Sequence, residues 1–297
     1  MKRRDFINRT AVLGSAAMLP LGMSQQKQEA RYKLGYQLYS VNEDMNKDTE
    51  GTLQALKGMG YEDFEVYGFG PDQVTYYGIP AATFKQLLDD MGLTATSGHY
   101  GFSDFFEKSD SELGRYVDQC IKGAKAIGTP YITWPWLAPK YRNMEGYRKL
   151  VEKLNFISER VNAAGLGFAY HNHGYEFDDY DGENGYELIL TQTDPELVKL
   201  QMDMYWVMHG PASTPKSLVA RQPGRFVMWH IKDMDAVTRD YTELGNGSIN
   251  YLNVLPDPVE SGLEYFYIEQ GGNFTHSAIK SAEASAEYFK ASLQHLL

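Results

Sequence analysis

The sequence has 297 residues, of which 43% are hydrophobic, and this length suits one large domain with a single core. The 28 basic and 39 acidic residues give a formal net charge of -11, which opposes binding to a phosphate backbone. Nucleic acid is therefore excluded as an expected partner. The single cysteine, Cys120, leaves no basis for a disulfide framework or a thiolate zinc site.

The beginning of the chain has the organisation of an export signal. Residues 1–4 are basic, residues 10–22 are apolar and small, and residues 24–29 are polar. Arg3 and Arg4 start a stretch, RRDFI, that resembles a twin-arginine signal. We therefore expect residues 1–29 to be a signal peptide with a polar spacer, and the mature protein to be periplasmic. The apolar stretch is too short to span a membrane, so we expect no membrane span after signal removal.

Eight β-rich segments follow, and segments of helical periodicity alternate with them. Strict alternation predicts a parallel sheet, and eight repeats favour a closed barrel over an open doubly wound sheet. No glycine-rich phosphate loop follows the first segment, which also argues against the open sheet. We predict an α/β fold, a (β/α)8 TIM barrel in one domain over residues 30–297. The predicted strands are 33–40, 61–68, 93–100, 129–136, 166–173, 197–206, 225–233 and 263–270.

Long helical segments lie between these strands, and several of them end in glycine, which tolerates the left-handed conformation of a helix C-terminus. The clearest of them are residues 49–60, 80–92, 111–128 and 146–165, with a last helix at residues 281–297.

Polar side chains concentrate where the predicted strands end, which is where TIM barrels carry their reactive groups. Buried carboxylates and imidazoles are costly unless they are paired or bind a cation. Oxygen and nitrogen ligands without sulfur favour one divalent ion of Mn, Co, Mg or Zn. The residues concerned are Gln37, Glu65, His99, His171, Asn172, His173, Glu176, Asp203, His230, Lys232, Asp233, Glu269 and Gln270.

Four segments on the last four predicted strands resemble the xylose isomerase-like barrels of the sugar phosphate isomerase/epimerase group. They are YHNHGYEF, MDMYWV, GRFVMWHIKD and FYIEQG, and the resemblance spans residues 34–297. It implies a metal site with an acid from strand five, an aspartate from strand six, a histidine from strand seven and a glutamate from strand eight. Asp203, His230 and Glu269 match the last three positions.

The fifth strand departs from this pattern. Where relatives often place a glutamate, this chain has His171, Asn172 and His173, and the nearest acid is Glu176. We expect Glu176 to complete the metal site, with His171 or His173 as the substitute ligand.

The resemblance implies a metal-dependent sugar isomerase or epimerase that removes a proton next to a carbonyl through a metal-stabilised enediolate. In the family, the carboxylates of strands five and eight move the proton, and these would be Glu176 and Glu269 here. His171 and His173 lie two apart on a predicted strand and so point to the same side, which suits proton shuttles or leaving-group acids.

Further side chains at the strand ends are expected to contact a small-molecule sugar or keto-glycoside, although each of them also has an ordinary structural interpretation. They are Gln37, Glu65, His99, Trp134, Trp206 and Lys232. The resemblance also implies that two copies of the chain can pair as a homodimer.

Three other functions compete with the isomerase hypothesis. The same site could serve elimination or hydrolysis of a 3-keto-glycoside, and export from the cytoplasm favours this alternative. A sugar-binding protein without turnover would need aromatic platforms but no metal-bound acid and base. A DNA-repair endonuclease on the same barrel is disfavoured by the net charge of -11 and by the signal segment.

Overall fold

A closed barrel of eight parallel strands forms the centre of the protein. The computed structural model describes residues 31–180, 182–210 and 213–297, so the predicted signal segment lies outside the described residues. Each strand pairs with its neighbours along the chain, and the first pairs with the last, which confirms the predicted TIM barrel. Strands β1 to β8 are Gly35–Gln37, Asp63–Val66, Thr94–His99, Tyr131–Trp134, Gly167–His171, Val198–Asp203, Met228–Ile231 and Tyr265–Ile268.

Helices surround the barrel and connect its strands. At the start of the fourth helix, Ser109 and Glu112 form a capping box, and Gly128 ends the same helix in the left-handed conformation expected from the sequence. Helices α1 to α11 are Asn42–Lys47, Thr49–Gly58, Ala81–Asp90, Asp110–Ile127, Met144–Ala163, Gly185–Gln192, Met204–His209, Pro215–Arg221, Tyr251–Val254, Pro258–Ser261 and Ala278–Ser292. Short 3-10 turns are Leu38–Val41, Phe102–Phe105, Pro139–Tyr141, Tyr175–Phe177 and Gln294–Leu296.

Alternation along the strands separates two environments. On β4, Ile132 and Trp134 belong to the large apolar core, which lies between the strands and the helices. Tyr131 belongs to a small separate cluster, and Thr133 bonds across to Ser97 of β3. Since side chains alternate with a period of two, every second residue of each strand lies inside the barrel. The polar residues at the strand ends belong to this inward-pointing set.

The sixth strand ends earlier than predicted. It was expected to run over residues 197–206, but it stops at Asp203, and Met204 begins helix α7. The Asp203 carboxylate accepts a hydrogen bond from the backbone N–H of Trp206 at 3.3 Å and so caps this helix. Met204 and Trp206 are therefore helical, and the strand assignment was wrong for residues 204–206.

Two small antiparallel sheets stand at the carboxyl end of the barrel, and neither was predicted. The first follows β2 and consists of Phe69–Gly70, Thr75–Tyr76 and Ile79–Pro80. The second follows β7 and pairs Asp233–Met234 with Tyr241–Thr242. Within the described ranges, no helix has the length and apolar character needed to cross a bilayer.

Candidate active site

A cavity of about 500 Å³ opens at the carboxyl ends of the barrel strands. Its charged and imidazole lining is provided by His99, His171, His173, Lys232 and Glu269. Its aromatic lining includes Tyr39, Tyr67, Trp136 and Tyr241. Concave sites of this size with a few convergent polar groups are the usual form of a small-molecule site.

His230 stands at the centre of the polar cluster and contacts two carboxylates. Its Nδ1 lies 2.5 Å from Glu269 Oε2, and its Nε2 lies 2.6 Å from Glu65 Oε2. Burial lowers the pKa of His230, but the two carboxylates outweigh burial and raise it to about 9. In this arrangement each ring nitrogen of His230 can donate to a carboxylate, and one nitrogen would have to lose its proton before His230 could bind a metal. Burial raises the pKa of Glu65, but the His99 and His230 imidazoles outweigh burial and hold that pKa well below its usual range.

Lys232 follows β7 and bridges two carboxylates, one at the end of β6 and one directly after β8. Its Nζ lies 2.7 Å from Asp203 Oδ2 and 2.8 Å from Glu269 Oε2, and only 3% of the residue is exposed. Burial lowers the pKa of Lys232, but the two carboxylates outweigh burial, raise the pKa and keep the side chain charged. Lys232 was expected to contact substrate, and the structure places its ammonium inside the acidic cluster.

Two glutamines organise the inner ring of the site. Gln37 Nε2 donates to Glu65 Oε2 at 2.5 Å, and Gln201 Nε2 donates to Glu65 Oε1 at 2.6 Å. Gln201 Oε1 lies 2.8 Å from His99 Nε2 and 2.9 Å from His171 Nδ1. Gln201 was not among the predicted site residues. Its position two residues before Asp203 on the same strand could have indicated that its side chain also points into the barrel.

His171 is held by this network as a neutral imidazole. Burial lowers the pKa of His171 well below its ordinary value. Because the Gln201 carbonyl accepts a hydrogen bond from Nδ1–H, the proton-free nitrogen is Nε2, which lies 3.5 Å from Asp203 Oδ2. His173 also lines the cavity, and its ring centroid lies 5.0 Å from that of His171. Both imidazoles therefore face the cavity, as predicted, although the strand itself ends at His171.

Asn172 and Glu176 support the site from outside the cavity. Asn172 Oδ1 accepts a hydrogen bond from the Asp203 backbone N–H at 3.0 Å, so this side chain is turned away from the two histidines. Glu176 is fully buried, and its oxygens accept hydrogen bonds from Tyr170 Oη at 2.6 Å and from the His173 backbone N–H at 2.9 Å. Burial raises the pKa of Glu176 to about 7. The structure does not bring Glu176 together with Asp203, His230 and Glu269.

Trp134 and Trp206 were expected to contact substrate, but neither lines the cavity. Trp134 is fully buried and donates from Nε1 to the Trp136 carbonyl at 2.7 Å, so it lies outside the cavity, and Trp136 lines the cavity instead. The reason is the alternation of β4, which places Trp134 on the same face as Ile132. Trp206 packs beside His173, with 5.6 Å between ring centroids, and does not line the cavity.

The donor atoms of the cluster form two groups that could hold a divalent cation. One ligand atom each from Asp203, His230 and Glu269 lies within 4.8 Å of the other two, and the same holds for the set of His99, His171 and His230. Oxygen and nitrogen donors without sulfur suit Mn, Co, Zn or Mg. The predicted trio from strands six to eight therefore converges, and the fifth strand contributes His171 beside it.

Comparison with known proteins identifies relatives of this barrel. The family model described as "Xylose isomerase-like TIM barrel" matches residues 53–290. A sugar phosphate isomerase/epimerase from Parabacteroides distasonis is similar in structure, with 25% identity, a TM-score of 0.78 and coverage of 93% of this chain and 99% of the other. No curated protein matches the sequence.

Two further solved structures share the fold at lower identity. The IOLI protein with a bound zinc atom is 16% identical, with a TM-score of 0.69 and coverage of 89% of this chain and 99% of the other. The 3-keto-D-glucoside 4-epimerase from E. coli is 14% identical, with a TM-score of 0.63 and coverage of 88% and 100%. At these identities the likeness establishes the fold alone.

Proposed function

The chain belongs to the xylose isomerase-like TIM barrel family, and from this premise we propose that it is a metal-dependent sugar isomerase or epimerase. The observation that carries the proposal is the convergence of Asp203, His230 and Glu269 in the cluster at the cavity, next to the neutral imidazole of His171. The reaction is removal of a proton from the carbon next to a sugar carbonyl, followed by its return.

Asp203, His230 and Glu269 would hold the metal, and His171 is the residue of strand five nearest to them. A divalent ion bound there would polarise the sugar carbonyl and stabilise the negative charge that develops on its oxygen. Lys232 now contacts two of these carboxylates, so its ammonium would have to move into the cavity when a metal binds. From there it can donate a hydrogen bond to a sugar hydroxyl, which agrees with its predicted substrate role.

The proton would be moved by side chains that line the cavity. His171 offers a neutral nitrogen, Nε2, that can accept the proton, and the ionised carboxylate of Glu269 is the second group with this capacity. Since Glu176 has both oxygens occupied by Tyr170 and the His173 backbone, we assign it a positioning role for His173.

Cleavage of a 3-keto-glycoside is the second candidate, and the presence of His173 in the cavity favours it. Three imidazoles line the cavity, and that of His99 has Gln37 and Gln201 on its two ring nitrogens. An isomerase that uses His171 and Glu269 has no need of His173. Burial lowers the pKa of His173, so His173 would first take up a proton from solvent and then give it to the glycosidic oxygen, which leaves from the carbon next to the one that loses its proton.

Incubation in deuterated water separates these candidates. The Mn²⁺-loaded protein is mixed with free ketoses and with 3-keto-glycosides, and the products are examined by mass spectrometry and NMR. Solvent deuterium at the carbon next to the carbonyl, without bond cleavage, supports the isomerase. Release of the aglycone supports cleavage. Sugar binding without exchange or cleavage would overturn both and favour a binding protein.

Matched variants identify the groups responsible. We expect Glu269→Gln and His171→Asn to reduce deuterium incorporation at least 100-fold, because each removes a proton-transfer group. Leu252→Ala, an exposed position outside the cavity, serves as the control and should react like the parent protein.

A further inference from the structure

We infer that the mouth of the cavity is a second binding site, which takes the second ring of a neutral glycoside. The inference rests on the proposed function for the first ring, which would lie against His171 and Glu269. It narrows the substrate to two-ring compounds, either disaccharides or aryl glycosides, and it excludes monosaccharide phosphates.

Two exposed aromatic side chains mark this second site. Tyr39 is 45% exposed and Trp136 is 42% exposed, and both line the same cavity as His171 and Glu269. Among the described residues, they are the only large aromatic side chains that are exposed. A flat ring whose edge carries a polar group suits stacking against the apolar face of a sugar or against an aryl ring.

Contacts within the protein restrict both rings before any ligand binds, because Tyr39 packs on Tyr67 and the Trp136 ring centroid lies 5.6 Å from Arg142 Cζ. The Tyr39 backbone N–H donates to Gln37 Oε1 at 2.9 Å, and the Tyr39 ring meets Tyr67 edge-on at 5.0 Å between centroids. The Trp136 carbonyl accepts the indole N–H of Trp134 at 2.7 Å. Because little conformational freedom is lost on binding, such side chains make efficient contacts.

The volume of the cavity allows two rings. It is about 500 Å³, and pockets of roughly 300–1,000 Å³ enclose ligands of drug-like size. One ring at the charged inner end would leave the aromatic mouth uncovered. A second ring would bury it.

The charges of the cavity disfavour a phosphate group. Of the residues that line the cavity in the described chain, Lys232 alone is a lysine or arginine, and its ammonium is paired with Asp203 and Glu269. The guanidinium of Arg142 does not line the cavity; it lies 3.6 Å from the ring centroid of Tyr175 and 5.6 Å from that of Trp136, and its Nε donates to the Leu137 carbonyl. At the inner end of the cavity a phosphate dianion would thus meet Glu269 and a lysine that is already paired, whereas recognition of phosphate normally uses available Arg or Lys donors.

Calorimetric titration of the Mn²⁺-loaded protein tests the inference. The probes are the phenyl glycosides of D-glucose, D-galactose and D-xylose, each beside the free sugar and its phosphate. For at least one sugar we expect the phenyl glycoside to bind at least tenfold more tightly than the free sugar, and the phosphate to bind most weakly. In Trp136→Ala the tenfold advantage should disappear while affinity for the free sugar stays within twofold, and Leu252→Ala should retain the advantage.

Three outcomes would overturn the inference: no phenyl glycoside binding, equal affinity of glycoside and free sugar throughout, or tightest binding of a phosphate. The deuterium-exchange experiment tests the proposed function separately. Exchange into a free sugar without any glycoside preference would leave the isomerase standing and remove the second site. Preferential binding of a glycoside without deuterium exchange would support the second site and remove the isomerase.

Discussion

The Lys232 ammonium lies 2.7 Å from the Asp203 carboxylate, within the acidic cluster proposed to hold a metal. The same nitrogen lies 2.8 Å from Glu269. Lysine and divalent cation would therefore compete for the same oxygen atoms, and the lysine keeps the carboxylates paired when the metal is absent. This relationship makes the stability of the protein and its metal affinity depend on one side chain.

Lys232→Met should destabilise the metal-free protein and tighten metal binding. Without the ammonium, the buried carboxylates of Asp203 and Glu269 lose their partner, which lowers the free energy of unfolding by about 3–5 kcal/mol. The same change removes the group that competes with the metal for these oxygens. The measurement is the melting temperature with and without Mn²⁺, and we expect a lower value without metal and a larger metal-induced increase than in the parent. Lys153→Met is the matched control, since Lys153 pairs with Asp110 at 2.8 Å and does not line the cavity. A parent-like melting temperature and a smaller metal response would contradict the competition.

Glu176→Gln should keep the bound metal, whereas His230→Ala and Glu269→Ala should lose it. The Glu176 oxygens accept bonds from Tyr170 and the His173 backbone and lie outside the converging set of donors. Elemental analysis of the purified variants gives the metal content, with circular dichroism to verify folding. A folded Glu176→Gln protein that has lost its metal would instead make Glu176 the fifth-strand ligand expected from the family pattern.

Asp63→Asn should change the pH dependence of stability. Asp63 accepts a hydrogen bond from the Thr94 hydroxyl at 2.6 Å, is 3% exposed, and has its pKa raised by burial to about 6. The raised pKa means that the folded state binds the proton more tightly, so this contribution to stability is full below about pH 4 and is lost as the pH rises through about 6. The loss amounts to roughly 3 kcal/mol.

Urea denaturation of parent and Asp63→Asn between pH 4 and pH 7 measures this effect. The neutral amide does not titrate, so the variant should gain stability relative to the parent as the pH rises and reach a constant difference above about pH 6. A difference that does not vary with pH would show that Asp63 has the same pKa in the folded and unfolded states.

Gln201→Leu should lower kcat more than it raises KM. The leucine cannot accept from His99 and His171 or donate to Glu65, so the proton on His171 is no longer confined to Nδ1. Loss of these buried hydrogen bonds should also cost about 1–3 kcal/mol of stability. Gln222→Leu is the control, because Gln222 donates to the Leu190 carbonyl away from the cavity and should lose stability without losing kcat. An equal decrease in kcat in both variants would indicate general destabilisation.

The sequence predicted the barrel and most of the inner ring for one physical reason. Alternation of strand and helix determines the fold class, and a period of two determines which strand residues point inward. Asp203, His230 and Glu269 follow that rule, and the structure brings them together. The same rule, applied to β4, would have excluded Trp134 from the cavity, because Trp134 shares its face with Ile132.

The remaining differences arise where tertiary contacts override the local pattern. The apolar run around Met204 suits a strand, but the Asp203 side chain caps a helix there. Glu176 is the nearest acid in sequence, yet the buried hydroxyl of Tyr170 binds it away from the cluster. Tyr241 enters the cavity from a hairpin after β7, and no periodicity in that loop indicates its direction.

The two-residue alternation inside the barrel also limits how this protein can change. Insertion or deletion of one residue within β7 would exchange His230 with its neighbour Trp229 or Ile231 and turn the imidazole toward the helices. A variant that keeps the inner ring must therefore keep the length of each strand, whereas a change in loop length leaves the alternation intact. The turns at residues 71–74 and 235–240 are consequently where a library for altered glycoside selectivity should place insertions, and the strands are where it should permit substitutions only.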